Sequence, residues 1–152
     1  MGNSKLSFAI NDPWLSEAIS RSVCQERPFR MGFDHCIAVT FEGKIAGGVL
    51  FDNYLGPVIQ IHVHLLNPIA VQRDILWMIF DYSFNALGVE KVLGIVPVAN
   101  EKALKFDLKL GFKIEHTIET SVPSKNIVLL SMARNECKWL AHKPTTLMRR
   151  IH

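Results

Sequence analysis

Two histidines, His62 and His64, stand two residues apart in the segment VIQIHVHLL at residues 58–66. Alternation along a strand would place both imidazoles on one face with Gln60, and the branched apolar residues on the other. An imidazole titrates at about pH 6.5 when unperturbed, so either histidine could accept a proton as a general base. Two other interpretations stay open: both are hydrogen-bonded structural residues, or both rings hold a metal ion. Because no third ligand stands in the segment, we expect no metal.

A second segment, NEKALKFDLKLGF at residues 100–112, predicts a helix with defined ends. Asn100 is a residue type that accepts hydrogen bonds from the free N–H groups of a first helical turn. Gly111 is the residue type that most often follows the last turn. The segment therefore predicts a helix between Asn100 and Gly111.

Turn and cap residues predict the elements around these two segments. Asp12 and Pro13 begin a helix as N-cap and first-turn residue. Glu42-Gly43-Lys44 separates two β-branched runs, which predicts a hairpin. The remaining elements are a long helix at about 70–87 closed by Gly88, the strand KVLGIVPV, strands at 112–119 and 126–132, and a short helix at RNECKWL.

This order of elements predicts a mixed α/β fold: a mostly antiparallel sheet with a central β-α-β crossover and flanking helices. The strand that carries the two histidines and the strand KVLGIVPV should run parallel, joined through the long helix. We assign residues 1–140 to one domain and residues 141–152 to a basic C-terminal tail, which we expect to be mobile.

Composition limits the classes of function. The formal net charge of +3 is mild and no basic stretch precedes the tail, so we expect no nucleic-acid partner, although the tail leaves a nucleic-acid accessory role as a weaker alternative. The three cysteines, Cys24, Cys36 and Cys137, form no CxxC pair and are expected to be reduced thiols. No apolar run resembles a secretory signal or reaches membrane-spanning length, so we expect a cytoplasmic protein without a membrane partner.

The second segment resembles the helix-plus-Gly-Phe signature of the GNAT acetyltransferases. The matching residues are Asn100, Ala103, Lys109, Gly111 and Phe112. The segments FDNYLGPVIQIHVH and SMARNECKWL are similar to a phage and proteobacterial branch of that superfamily. The resemblance covers about residues 33–140 and is weakest at the N-terminus, where the family's first strand is not evident.

The resemblance implies the acyl-CoA N-acyltransferase fold, with acetyl-CoA as co-substrate in a V between the two parallel strands. Pantetheine amides would pair with strand backbone there, and the pyrophosphate would sit at the N-terminus of the long helix. The residues implied for cofactor binding are His64, Leu65, Leu66, Val71, Gln72, Arg73, Asn100, Ala103 and Phe106.

The chain departs from the family pattern in its pyrophosphate loop. Pro68, Val71 and Arg73 occupy the positions of the usual Gln or Arg, Gly, and Gly or Ala. Val71 would crowd the phosphates but keep a free N–H, and Arg73 would add a phosphate-binding charge unless it faces solvent.

A second departure concerns the tyrosine that often protonates the departing thiolate, which aligns with Asp107. An aspartate can donate that proton only if burial raises its pKa; otherwise it is a solvated helix residue. Tyr54 and Tyr82 are the candidate substitutes, of which Tyr82 is expected to be a packing residue. Together with His62 and His64, Tyr54 completes our set of candidate catalytic residues.

These observations predict an N-acetyltransferase that transfers an acetyl group from acetyl-CoA to a primary amine. The acceptor, a small molecule or a protein, cannot be read from the sequence. The alternative is a catalytically eroded GNAT-fold binding or adaptor protein in a phage-associated role. A homodimer is also open.

Overall fold

The computed structural model describes residues 5–24, 26–144 and 149–151, which form one eight-stranded sheet with helices on both faces. The strands are β1 (Leu6–Ile10), β2 (His35–Phe41), β3 (Lys44–Asp52), β4 (Val58–Leu65), β5 (Lys91–Pro97), β6 (Lys113–Ile118), β7 (Ile127–Ala133) and β8 (Arg149–Arg150). The helices are α1 (Pro13–Val23), α2 (Arg73–Asp81) and α3 (Glu101–Leu110). Within the described residues, no helix combines the length and the hydropathy that a membrane-spanning helix requires.

The strand order is β6-β7-β5-β4-β3-β2-β1-β8. Neighbouring strands are antiparallel except at β4–β5 and β1–β8, which are parallel. Because α2 connects β4 to β5, these three elements form the central β-α-β crossover. The predicted fold class, a mixed and mostly antiparallel sheet with this crossover and flanking helices, is confirmed.

Local signals account for the positions of the elements that carry the site. The β2–β3 hairpin turns at Glu42 and Gly43, which have φ of 53° and 79°, a region that glycine enters without strain. The Asn100 side chain accepts a hydrogen bond from the Ala103 N–H at 3.2 Å and begins α3. Gly111, with φ of 112°, ends that helix.

The sequence prediction missed the outer strands. β1 pairs antiparallel with β2, and β8 pairs parallel with β1. Ile151 also donates its N–H to the Phe8 carbonyl oxygen at 2.7 Å. The described end of the basic tail therefore lies on the edge of the sheet, whereas we expected a mobile tail.

Two helical predictions also need correction. The long helix begins at Arg73, after a 3₁₀ turn at Pro68–Ala70, and beyond Asp81 it continues as a π-helical turn at Tyr82–Ala86. The short helix predicted at RNECKWL is a pair of 3₁₀ turns, Arg134–Glu136 and Lys138–Ala141. Before α2, Pro68 begins the 3₁₀ turn, because proline fits a first turn in which its missing N–H is not needed.

The core lies in two layers, one on each face of the sheet. The larger cluster joins the apolar face of β4, including Ile59 and Ile61, to α2 and α3. The smaller cluster packs Ile19 of α1 against Leu50 of β3. Leu50 lies directly opposite His62 in the β3–β4 ladder, and residues opposite each other in a ladder share a face. The polar face of β4 therefore points toward α1.

Candidate active site between β4 and β5

The strands β4 and β5 form a fork. They pair only at Val58–Lys91, Ile59–Val92 and Gln60–Leu93. Beyond these positions, described residues 61–65 and 94–97 are not paired with each other. The gap is part of a cleft of about 720 Å³, lined by both strands, the end of α1 and one side of α3. Unpaired strand backbone requires a hydrogen-bonding partner, so this cleft suits an extended ligand that contains amides.

His62 lines the cleft just beyond the fork. Its Nε2 lies 2.9 Å from Oδ1 of Asp52. Since a carboxylate can only accept a hydrogen bond, this contact assigns the proton to Nε2 and leaves Nδ1 as the basic nitrogen. Asp52 therefore orients the ring, as a histidine general base requires.

A buried ion network supports Asp52 from behind. Arg27 donates to Oδ2 of Asp52 and to Oδ2 of Asp34, both at 2.9 Å. Arg30 also donates to Asp34, whose side chain is fully buried. Burial by itself would raise the pKa of Asp34, but the hydrogen bonds from Arg30 and Arg27 outweigh that effect and lower it. The network thus holds Asp52 in place on its side of the sheet.

The same network bears on metal binding. Cys24, Asp52 and His62 each offer one atom that could bind a metal ion, and these three atoms lie within 4.8 Å of one another. No other group of three such residues is found in the described part of the chain. The Arg27 guanidinium, however, contacts Asp52 and also lies 3.7 Å from the Cys24 sulfur. A positive group of the protein already balances the carboxylate, so a metal ion would have to displace it.

His64 also lines the cleft, two residues further along the same face of β4. Burial lowers the pKa of its imidazole, which favours the neutral form. His64 also borders a small apolar cavity of about 20 Å³ beneath β4. Other residues around this cavity are Val63, Leu65, Val71 and Phe106.

Asp107 enters the cleft from α3, on the face of the sheet opposite to His62. Its Oδ2 lies 3.2 Å from the point that a Cβ atom would occupy on Gly94. Burial raises the pKa of this carboxyl to about 6. We considered Asp107 either as a solvated helix residue or as a proton donor whose pKa is raised by burial. Its half-buried position and raised pKa agree with the second interpretation.

Most of the predicted site residues converge on the cleft. His62 and His64 line it, as do Leu65, Asn100, Ala103 and Phe106. Tyr54 does not. It follows the end of β3 that lies beside the start of β4, and its hydroxyl donates to the Leu87 carbonyl oxygen at 3.4 Å. The structure therefore places Tyr54 at the wrong end of β4 for proton transfer in the cleft.

The predicted pyrophosphate loop is separate from the cleft lining, which does not include Leu66, Val71, Gln72 or Arg73. Every N–H group from residue 66 to residue 71 is already bonded within the protein: Leu66 and Asn67 to Ala46 O, Ile69 to Asn67 Oδ1, Ala70 to Asn67 O, and Val71 to Pro68 O. Our expectation of a free Val71 N–H is therefore wrong, because the 3₁₀ turn uses it.

Sequence reasoning missed two sets of residues. Asp52 could have been found only through the β3–β4 register, which places it diagonally across from His62. Lys102, Lys105 and Lys109 also line the cleft. Their i, i+3, i+7 spacing was visible and marks one stripe of α3.

Comparison with solved structures places this geometry among known folds. A variant of the spermidine N-acetyltransferase SpeG from Vibrio cholerae is similar with a TM-score of 0.66 and 17% identity, covering 91% of this chain and 98% of that one. The N-acetyltransferase PseH from Campylobacter jejuni, in complex with acetyl coenzyme A, is similar with a TM-score of 0.53 and 19% identity, covering 68% and 70%.

A second variant of the Vibrio cholerae SpeG enzyme has a TM-score of 0.67 and 17% identity over 91% of this chain and 98% of that one. No protein-family model and no curated protein sequence matches the chain. At these identities the likeness concerns the fold. The chain has the acyl-CoA N-acyltransferase fold of the GNAT acetyltransferases.

Proposed function

We propose that the protein is an N-acetyltransferase that moves an acetyl group from acetyl-CoA to a primary amine. The observation that carries the proposal is the fork between β4 and β5, with His62 on one face of the gap and Asp107 on the other. SpeG and PseH, which share the fold, are N-acetyltransferases, and PseH is in complex with acetyl coenzyme A.

The two faces of the gap divide the work of the reaction. A neutral amine that enters from the α1 side would attack the thioester carbonyl carbon, forming the C–N bond as the C–S bond breaks. After the attack the nitrogen is positively charged, and it loses a proton to Nδ1 of His62, whose ring Asp52 orients. The departing thiolate takes a proton from Asp107 on the other face. Protons and charge then balance, and His62 and Asp107 exchange protons with solvent before the next turnover.

The cavity beneath β4 supports an acetyl group as the transferred acyl group. Its volume of about 20 Å³ is close to that of one small group, and its lining is apolar. A methyl group would fill it, whereas a longer chain would have to move Val63 or Phe106. We therefore expect acetyl-CoA to be used in preference to acyl-CoA esters with longer chains.

The test couples ligand binding to turnover. Acetyl-CoA at millimolar concentration should raise the melting temperature of the purified protein, because a ligand that binds only the native state stabilises it. Release of CoA should then be followed with a thiol reagent over a panel of primary amines, with spermidine as the first acceptor. Absence of both the thermal shift and CoA release would remove the proposal.

A second candidate is a binding or adaptor protein that keeps the fold without catalysis. The consumed N–H groups of residues 66–71 favour it, because they leave fewer backbone donors for a phosphate group before α2. This candidate predicts no acetyl-CoA shift and no CoA release with any amine, while the protein still binds a macromolecular partner. Slow hydrolysis of acetyl-CoA that disappears in His62→Gln would contradict it.

A further inference from the structure

We infer that a row of lysines on α3, and not the loop before α2, binds the phosphates of the CoA ligand. The row is Lys102, Lys105 and Lys109, here called the lysine row. The inference rests on the proposed function, since it names how this chain would hold that substrate. It assigns an anion-binding surface to a helix face for which the sequence resemblance implied no such role.

Position is the first argument. All three lysines line the cleft between β4 and β5 and are exposed. At a rise of 1.5 Å per residue they span about 10 Å along one stripe of the helix. The stripe flanks Phe106, which borders both the cleft and the small apolar cavity. A ligand whose thioester lies near that cavity would therefore run outward beside the lysine row.

Charge is the second argument. Asp107 is the one carboxylate among the described cleft-lining residues, against three lysines. Across the described residues, no ion pair engages the ammonium group of Lys102, Lys105 or Lys109. The cleft thus has a positive wall that the protein does not neutralise, which is the condition for attracting phosphate groups.

The loop before α2 supplies the third argument by exclusion. Its N–H groups from residue 66 to residue 71 are bonded within the protein. Arg73 remains exposed but does not line the cleft. A phosphate group in the cleft would therefore lie beside ammonium groups of α3, whereas residues 66–71 offer it no free N–H group.

The experiment compares ligands with and without phosphates. Dissociation constants for acetyl-CoA and for S-acetylpantetheine, which lacks the phosphates, are measured calorimetrically for the unaltered protein at low and high salt. The variant Lys102→Gln/Lys105→Gln/Lys109→Gln removes the lysine row. Lys44→Gln, in the β2–β3 hairpin, is the matched control, and Arg73→Gln tests the loop. Circular dichroism confirms that each variant is folded.

We expect each lysine substitution to weaken acetyl-CoA binding by about two- to five-fold, and the triple variant by about ten- to one-hundred-fold, as for exposed charge pairs. Binding of S-acetylpantetheine should be unchanged, and salt should weaken acetyl-CoA binding less in the triple variant than in the unaltered protein. Lys44→Gln and Arg73→Gln should bind acetyl-CoA within about two-fold of the unaltered protein.

Two results would overturn the inference. Unchanged acetyl-CoA affinity in the triple variant would show that the lysine row does not hold the phosphates. A loss in Arg73→Gln as large as that in the triple variant would return the phosphates to the loop. Failure of the proposed function looks different: the unaltered protein would then bind neither acetyl-CoA nor S-acetylpantetheine.

Discussion

The substitution Asp107→Asn separates stability from function at one position. Burial raises the pKa of this carboxyl from 3.8 to about 6. The folded state therefore holds the proton more tightly than the unfolded state, and above about pH 6 the ionised group reduces the free energy of unfolding. A shift of about two units corresponds to about 3 kcal/mol, which partial solvent access reduces to about 1–2 kcal/mol.

We therefore expect Asp107→Asn to be more stable than the unaltered protein by about 1–2 kcal/mol at pH 7.5. The gain should shrink as pH falls from about 6 toward 4, where the native carboxyl becomes protonated in the folded and the unfolded state alike. Urea unfolding at a series of pH values measures this difference directly. Glu101→Gln, an exposed acid in the first turn of the same helix, is the control and should lose a few tenths of a kcal/mol through the helix dipole.

The same variant should lose activity. Proton donation is typically worth about 10²–10⁴-fold, but at pH 7.5 only a few per cent of a group with a pKa of about 6 is protonated, so we expect kcat to fall about 10- to 100-fold. In the unaltered enzyme, kcat should decline above about pH 6 as Asp107 ionises, and this limb should be absent from the variant. A variant that is less stable than the parent at pH 7.5, or that keeps full kcat, would refute the reasoning.

Four further substitutions test the rest of the site. In steady-state assays, His62→Gln should lower kcat about 100-fold with little change in the KM for acetyl-CoA. His64→Gln, on the same face of β4, should lower kcat less than about ten-fold. The reverse ranking would show that His64 is the general base. Asp34→Asn should cost about 3 kcal/mol in urea unfolding, because it removes the buried carboxylate that pairs with Arg30 and one of the two that pair with Arg27. Since the pKa of Asp34 is lowered, that loss should be largest near neutral pH and shrink in acid; a pH-independent loss would contradict this. Gly94→Ala should push Asp107 toward solvent. The restored solvation should lower the pKa of the carboxyl, so the decline of kcat should begin at a lower pH than in the unaltered enzyme; an unchanged pH profile would show that the close approach is unimportant.

Much of the fold could be predicted because its signals are local. The alternation of β4 placed His62 and His64 on one face, and the caps Asp12 and Asn100 marked the starts of α1 and α3. β1 was missed because five residues carry too little periodicity to distinguish a strand from a loop. β8 was missed because two residues form a strand only where an existing edge, that of β1, accepts them.

The candidate site was predicted less completely than the fold. Resemblance and alternation led to six of the cleft-lining residues, but Leu66, Gln72 and Arg73 lie outside the cleft lining. The 3₁₀ turn at Pro68–Ala70 explains part of this difference, because it delays the helix and uses the N–H groups that the resemblance assigned to phosphate. A local hydrogen-bond pattern of this kind competes with ligand binding and is not visible in residue types alone.

By itself, the sequence determined the order of the main elements, the polar face of β4 and the helix that begins at Asn100, because periodicity, caps and turns act between residues that are near in the chain. Only the tertiary structure decided that Asp52 orients His62, that three lysines share a cleft with His62, and that the pKa of Asp107 is higher than that of an exposed aspartate. Those properties arise from strand register, helix packing and loss of solvent, each of which depends on residues that are distant in sequence.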